Sequence, residues 1–292
     1  MRFYGGRVSL LPLDLFFYFN EEKNKKFDHI VKLLNKNVEV EIRKDTKLII
    51  EPILDDNGIL LGGKIARESH ADLPLRPDGN LEKVRTKLYP YVLFILDASQ
   101  QVIFVEKNSQ VFQDPIIVFN HLTKYFNSEL NRIGIEVHII PLTHKGKFWN
   151  LLDDSAQVYN VNFILKAPNF IGQSHRDFKE ILEREKEDVN ANQVEFGVSN
   201  ESGQLRIKKS KRYDAAVGWV EDGGGEWIVK AKKKNQKRKK TFKSSDNLSI
   251  FEVELDEIKE LTSKIIRTIK EKIFLGAHKI KIENEGEEHE EK

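Results

Sequence analysis

The segment YVLFILDASQQVIFVEKN, residues 91–108, constrains the fold more than any other part of the chain. Two runs of large apolar residues, 92–96 and 102–105, flank a polar turn. Runs this short and this continuously apolar lack the one-sided alternation of a half-exposed strand. They fit strands covered on both faces. A hairpin of that kind belongs in the middle of a sheet, beneath further layers. With 292 residues the chain can supply those layers in one large domain or two modest ones.

The flanking sequence supplies strands and helices in blocks. RVSLLPL, NVEVEIR, KLIIEPIL and GILLGGKIA read as strands separated by the turn signals DDNG and GG. Between the first two, FDHIVKLL places Phe27, Ile30, Val31 and Leu34 on one helical stripe. Residues 67–88, rich in Arg, Pro, Asp and Gly, read as a long loop, which in a compact domain is expected to be functional or mobile. After the hairpin a helix opens with Asp114 as N-cap and Pro115 at its first position. Val118, Leu122, Tyr125, Phe126, Leu130 and Ile133 form its stripe, and Gly134 ends it. A strand, IEVHIIPL, and a short segment, KFWNLLDD, follow.

A second progression begins at YNVNFILKAPN. Ser174 and Asp177 form a capping box ahead of a helix around Phe178, Ile181 and Leu182. QVEFGVS with GQLRIKK reads as one hairpin, and AAVGWVE–DGGG–EWIVKAK as another, anchored by Trp219 and Trp227. A last helix starts near Asp256, with Ile258, Leu261, Ile265, Ile269 and Ile273 on one face. Without regular βαβ alternation, the expected class is α+β: mixed or antiparallel sheets built from hairpins, several packing helices and a C-terminal helix. The expected division is a strand-rich domain over 1–155, a second α+β domain over 156–282, and an acidic disordered tail over 283–292.

Charge is unevenly placed. The formal balance is +2, which says little about partners, but residues 230–243 hold nine Lys or Arg and no Asp or Glu. Residues 283–292, ENEGEEHEEK, hold six glutamates against one lysine. A dense cationic run neutralises phosphates and releases counterions, so it binds nucleic acid without reading bases. Lys230, Lys232, Lys233, Lys234, Lys237, Arg238, Lys239, Lys240 and Lys243 are the expected phosphate contacts. Lys208, Lys209, Lys211 and Arg212 extend the same surface if the successive hairpins pair. The competing readings are a solvated loop and a localisation or protein-partner signal. The acidic tail reads as a solubilising segment, or as one that folds over the basic run and competes with nucleic acid.

Other chemistry is poorly supported. The chain has no cysteine, which excludes disulfides, thiolate metal sites and cysteine nucleophiles, and fits a reducing compartment. The glycines 223–225 sit between strand-like runs, so they read as a hairpin turn and not as a phosphate loop, which needs a helix behind it. Asp97 with Glu106 and Lys107 loosely follows a nuclease pattern, but the spacer of Glu-x-Lys is missing and Asp97 falls where a turn wants an Asp. His121, His138, His144 and His175 do not cluster, so zinc is not expected. No motif calls for a cofactor or a metal. The apolar start, MRFYGGRVSLLPLDLFFYF, is interrupted by Asp14 and reads as a strand, and no apolar run reaches the ~20 residues of a membrane span. The expected location is cytoplasmic.

The order of elements carries a resemblance. YPYVLFILDASQQVIFVEKN, a helix, IEVHIIPL, YNVNFILKAPN, another helix and a late GW…GGGEWIVK stretch before a terminal helix are similar to a group of bacterial and prophage proteins that includes the RexA-type phage-exclusion protein. The resemblance spans about 80–280, rests on element order and apolar runs, and carries over no catalytic residues. It implies a cytoplasmic protein, a monomer or a homodimer, that binds double-stranded DNA with little sequence preference and signals invasion to a protein effector. The function expected from the sequence is therefore non-enzymatic, nonspecific duplex DNA binding in phage defence. The alternatives are a protein-interaction or adaptor subunit and, behind it, a metal-dependent nuclease or toxin.

Overall fold

A computed structural model describes residues 1–13, 26–43, 46–56, 59–76, 81–166, 185, 188–189 and 191–252. The chain divides into two compact units: Met1–Phe3, Phe27–Phe126 and Phe251–Lys292 form one, and Tyr4–Lys26 with Asn127–Ile250 form the other. The class is α+β, and the strands are mostly antiparallel. Among the described residues no helix is long and apolar enough to cross a membrane. The expected capping box at Ser174 and Asp177, its helix, the helix from Asp256 and the tail 283–292 lie outside the described residues.

In the first unit, β2 (Val38–Arg43), β3 (Thr46–Asp56), β4 (Leu60–Arg67), β7 (Tyr91–Asp97) and β8 (Val102–Glu106) pair in that order. The apolar hairpin β7–β8 is covered, as its composition requires: 92–97 and 102–105 are buried along their whole length. The same unit holds most of two helices, α1 (Lys26–Leu34) and α2 (Pro115–Leu130), the latter as far as Phe126. Helix α2 starts where the sequence places it: Asp114 Oδ1 accepts the Ile116 N–H at 2.8 Å, satisfying one of the orphan donors of the first turn. Its stripe residues Val118, Leu122 and Phe126 are buried.

The expected loop over 67–88 is instead a hairpin of β5 (Ser69–Leu75) and β6 (Glu82–Leu88), in register from Ser69 opposite Leu88 to Leu75 opposite Glu82. Its period of two is carried by Ser69, Ala71 and Leu73, and by Val84, Thr86 and Leu88, each only half-buried. His70, Asp72, Pro74, Lys83, Arg85 and Lys87 fill the alternate positions, so composition concealed the strands.

In the second unit β1 (Arg2–Pro12) pairs from Gly6 onward with β9 (Ile135–Pro141). The rest is a four-stranded sheet in the order β11 (Gln193–Ser199), β10 (Ser155–Lys166), β12 (Gly225–Lys233) and β13 (Lys240–Lys243). Helices α3 (Lys147–Asp153) and α4 (Lys211–Glu221) cover one face. Phe148 and Leu151 from α3, Val217 and Val220 from α4, and Phe163, Trp227 and Val229 from the sheet share one apolar cluster.

Two expected hairpins are corrected here. AAVGWVE is part of α4 and not a strand: Tyr213, Ala216, Val217 and Val220 keep helical spacing, and the last three are buried. The glycines after it close the helix and do not turn a hairpin. The Gly223 N–H donates to the Val220 carbonyl at 3.0 Å and the Gly224 N–H to the Trp219 carbonyl at 2.8 Å, the paired bonds of a Schellman cap. Gly223 holds φ at 81°, open to glycine at little cost. Likewise, 204–209 does not pair with β11. The Asn200 carboxamide accepts the N–H groups of Ser202 and Gln204, and the chain turns back onto the bulged end of β10, where Val158 bonds Gly203 and Leu205.

Candidate nucleic-acid interface

Alternation along β12 decides where its lysines go. Trp227, Val229 and Ala231 point into the apolar cluster, so Ile228, Lys230 and Lys232 point to the opposite face of the sheet, away from α3 and α4. Register completes that face. Lys230 stands opposite Asn160 on one side and Thr241 on the other, and Ile228 stands opposite Asn162 and Lys243. The sheet therefore gathers Lys230, Lys232 and Lys243 with two carboxamides and a hydroxyl, all groups that donate to phosphate oxygens.

The remaining cations sit at the end of the β12–β13 hairpin. Lys234, Lys237, Arg238, Lys239 and Lys240 are exposed. The turn is ordered by its backbone, with the Lys234 N–H donating to Asp154 O at 2.9 Å and the Gln236 N–H to Lys233 O at 3.0 Å. Lys239 Nζ lies 5.1 Å from the Tyr159 ring centre, and Lys233 Nζ lies 5.4 Å from that of Phe242 and 4.0 Å from Asp154. The Asp154 carboxylate is 70% exposed, so that ion pair holds little in water.

Lys208, Lys209, Lys211 and Arg212 are placed differently. Strand β12 has β10 and β13 as neighbours, so the pairing expected to join the two groups does not occur. Lys211 and Arg212 open α4, and the Arg212 guanidinium packs 4.6 Å over the Phe196 ring, on the helix-bearing side of the sheet. Lys208 and Lys209 are exposed in the irregular segment before that helix. The tryptophans serve as anchors: Trp227 is buried in the core, and the Trp219 indole N–H donates to Gly224 O at 2.8 Å and Lys166 O at 3.1 Å.

The residues of the nuclease pattern have other partners. Buried Asp97 accepts from Ser99 Oγ at 2.5 Å and the Gln100 N–H at 3.1 Å, which closes the β7–β8 turn. Glu106 accepts the Leu93 N–H at 3.1 Å, and burial pushes its carboxyl up from the ordinary value. Among the described residues no group of three His, Asp or Glu side chains is arranged to hold a metal. His175 lies outside the described residues.

One constellation has no counterpart in the sequence reading. His138 on β9 sits between Glu136, 3.2 Å from its Nε2, and Lys166 of β10, whose Nζ is 3.1 Å from its Nδ1. Burial, helped by the nearby Lys166 charge, lowers the His138 pKa, while Glu136 partly opposes the shift. Burial also lowers the Lys166 pKa, again against Glu136. Glu136 and His138 are two apart on one strand, but Lys166 arrives from 28 residues on, so no local spacing announced the group.

Compared with known proteins, the chain matches no protein-family model and no curated protein sequence.

Proposed function

We propose that the β12–β13 hairpin binds the phosphate backbone of double-stranded DNA without sequence preference. The observation that carries this reading is the sheet face, opposite α3 and α4, on which Lys230, Lys232 and Lys243 lie beside Asn160, Asn162 and Thr241, continued by the exposed cations of the hairpin end. Phosphate neutralisation needs cations that meet water in the unbound protein, and these do. No large aromatic ring joins Ile228 and the lysines on that stretch of β12, which favours backbone contact over base stacking. The resemblance to the phage-exclusion group extends the proposal: a non-enzymatic cytoplasmic sensor that engages invading DNA, as a homodimer or alone, and signals to a protein effector.

The test is duplex binding against salt. With five or six phosphates engaged, log K falls with log[salt] at a slope of about −5, and replacing Lys230, Lys232, Lys237 and Arg238 by glutamine flattens it to about −1. A quadruple variant with unchanged slope and affinity would overturn the assignment. An adaptor whose partner is an acidic protein shows instead weak duplex binding and stable co-purification with that protein.

A further inference from the structure

At its other end, the face of the sheet that carries Lys230 bounds a cavity of about 360 Å3, within the usual range for small-ligand sites. Lys166 lies six residues along β10 from Asn160, the partner of Lys230, or about 20 Å away at the rise of a strand. Ile139, Ile140 and Pro141 of β9 and Ile164 of β10 wall the cavity with branched and ring carbons. One polar contact bears on the chemistry: Lys166 is among the lining residues, and its Nζ meets His138 Nδ1 at 3.1 Å.

We propose that Lys166 is a carbonyl-trapping amine, condensing in this cavity with a small branched aliphatic aldehyde or ketone while His138 takes its proton. The geometry sets the direction of transfer. With Glu136 accepting from Nε2–H, the neutral ring presents Nδ1 as an acceptor toward the Lys166 amine. Loss of that proton to His138 frees the nitrogen lone pair, which attacks the carbonyl carbon. The C–N bond forms as the C=O π pair moves to oxygen, and one N–H proton of the adduct passes to that oxygen, giving the carbinolamine. The proton held by His138 then joins the hydroxyl, which leaves as water while the nitrogen lone pair closes the C=N bond. Ammonium and carbonyl become a protonated imine and water, with no oxidant or reductant involved. Burial already lowers the Lys166 pKa, which raises the share of nucleophilic amine at neutral pH. Glu136 is the carboxylate that opposes this shift; Glu226 on β12 also lines the cavity and accepts from Ser245 Oγ at 2.8 Å.

The full chain, treated with isobutyraldehyde and cyanoborohydride and mapped by peptide mass spectrometry, tests the site. At about pH 7, Lys166 is alkylated several-fold faster than exposed Lys208, because burial lowers the Lys166 pKa and the cavity holds the aldehyde beside it. Lys166→Arg removes the fast adduct. His138→Gln slows Lys166 by about tenfold, a modest share of a proton-transfer contribution, and leaves Lys208 unchanged. Formaldehyde, which needs no shaped cavity, gives a smaller preference for Lys166 than isobutyraldehyde does. Alkylation of wild-type Lys166 no faster than Lys208 would overturn the proposal and reduce the Glu136–His138–Lys166 contact to a structural hydrogen bond. Equal preference for the two aldehydes would overturn the role of the cavity.

Discussion

A methyl group added at Gly223 meets two separate costs. The φ of 81° is unfavourable for any L side chain, and the new Cβ would stand 2.5 Å from Arg7 Cβ. Gly146, which precedes α3 with a φ of 74°, has open space where its Cβ would go and meets the first cost alone. Gly146→Ala is therefore expected to lose about 1 kcal/mol in urea melts, and Gly223→Ala about 2–3 kcal/mol. Equal losses would mean that the Arg7 side chain moves aside freely. It is poorly placed to do so, since its Nε donates to Asp222 O at 2.9 Å and burial pushes its pKa down to about 10. His138 governs a different response. Its folded pKa is lowered, so below the ordinary histidine value the unfolded chain takes up the proton first. The stability it contributes is present above that value and is lost as pH falls toward the folded one. Wild type should lose more stability between about pH 7 and 5 than His138→Gln does, measured as a change in the urea midpoint.

At the scale of elements, the sheet sorts one cationic run into a face and a tip. Replacing Lys230, Lys232 and Lys243 by glutamine should cut the magnitude of the duplex-binding salt slope by about 2–3, with little change in stability because Lys230 and Lys243 are exposed and Lys232 is half-exposed. The matching change at Lys208, Lys209 and Arg212 should cut it by less than about 1, since Arg212 lies on the helix-bearing side. Equal effects would place DNA around the edge of the sheet and not on its face. The same sorting explains what the sequence disclosed. The β7–β8 hairpin and α2 were readable because burial on both faces and a cap with its stripe are local signals. Helix α4 was misread because AAVGWVE fits a period of two about as well as one of 3.6 over so few residues. The Schellman cap that decides between them depends on backbone bonds that glycine permits but does not require. The nine cations were visible as a run, yet their division between face and tip follows from the β10–β12–β13 register. The Lys166 group was invisible because β9 and β10 converge only in the folded chain.

For the whole molecule, a formal charge of +2 provides almost no long-range pull on DNA, so attraction must come from the local field of the hairpin. Residues 283–292, which lie outside the described residues, bear directly on that field. Their six glutamates and one lysine carry a formal −5, and removing them would shift the chain from +2 to +7. Two effects of removal point the same way: weaker repulsion of an approaching duplex, and loss of a competitor for the hairpin cations. They differ in reach. Repulsion acts through solvent and fades as the Debye length contracts from about 30 Å at 0.01 M salt to about 10 Å at 0.1 M. Competition requires contact between glutamates and the hairpin, so it vanishes when the hairpin lysines are neutralised. Deleting 283–292 should raise duplex affinity several-fold at about 0.05 M salt, and the gain should shrink toward nothing by about 0.3 M. If the gain persists in the Lys230, Lys232, Lys237 and Arg238 quadruple variant, repulsion accounts for it. If it disappears there, the acidic segment competes for the same cations as DNA does. Unchanged low-salt affinity after the deletion would show that the acidic segment does neither.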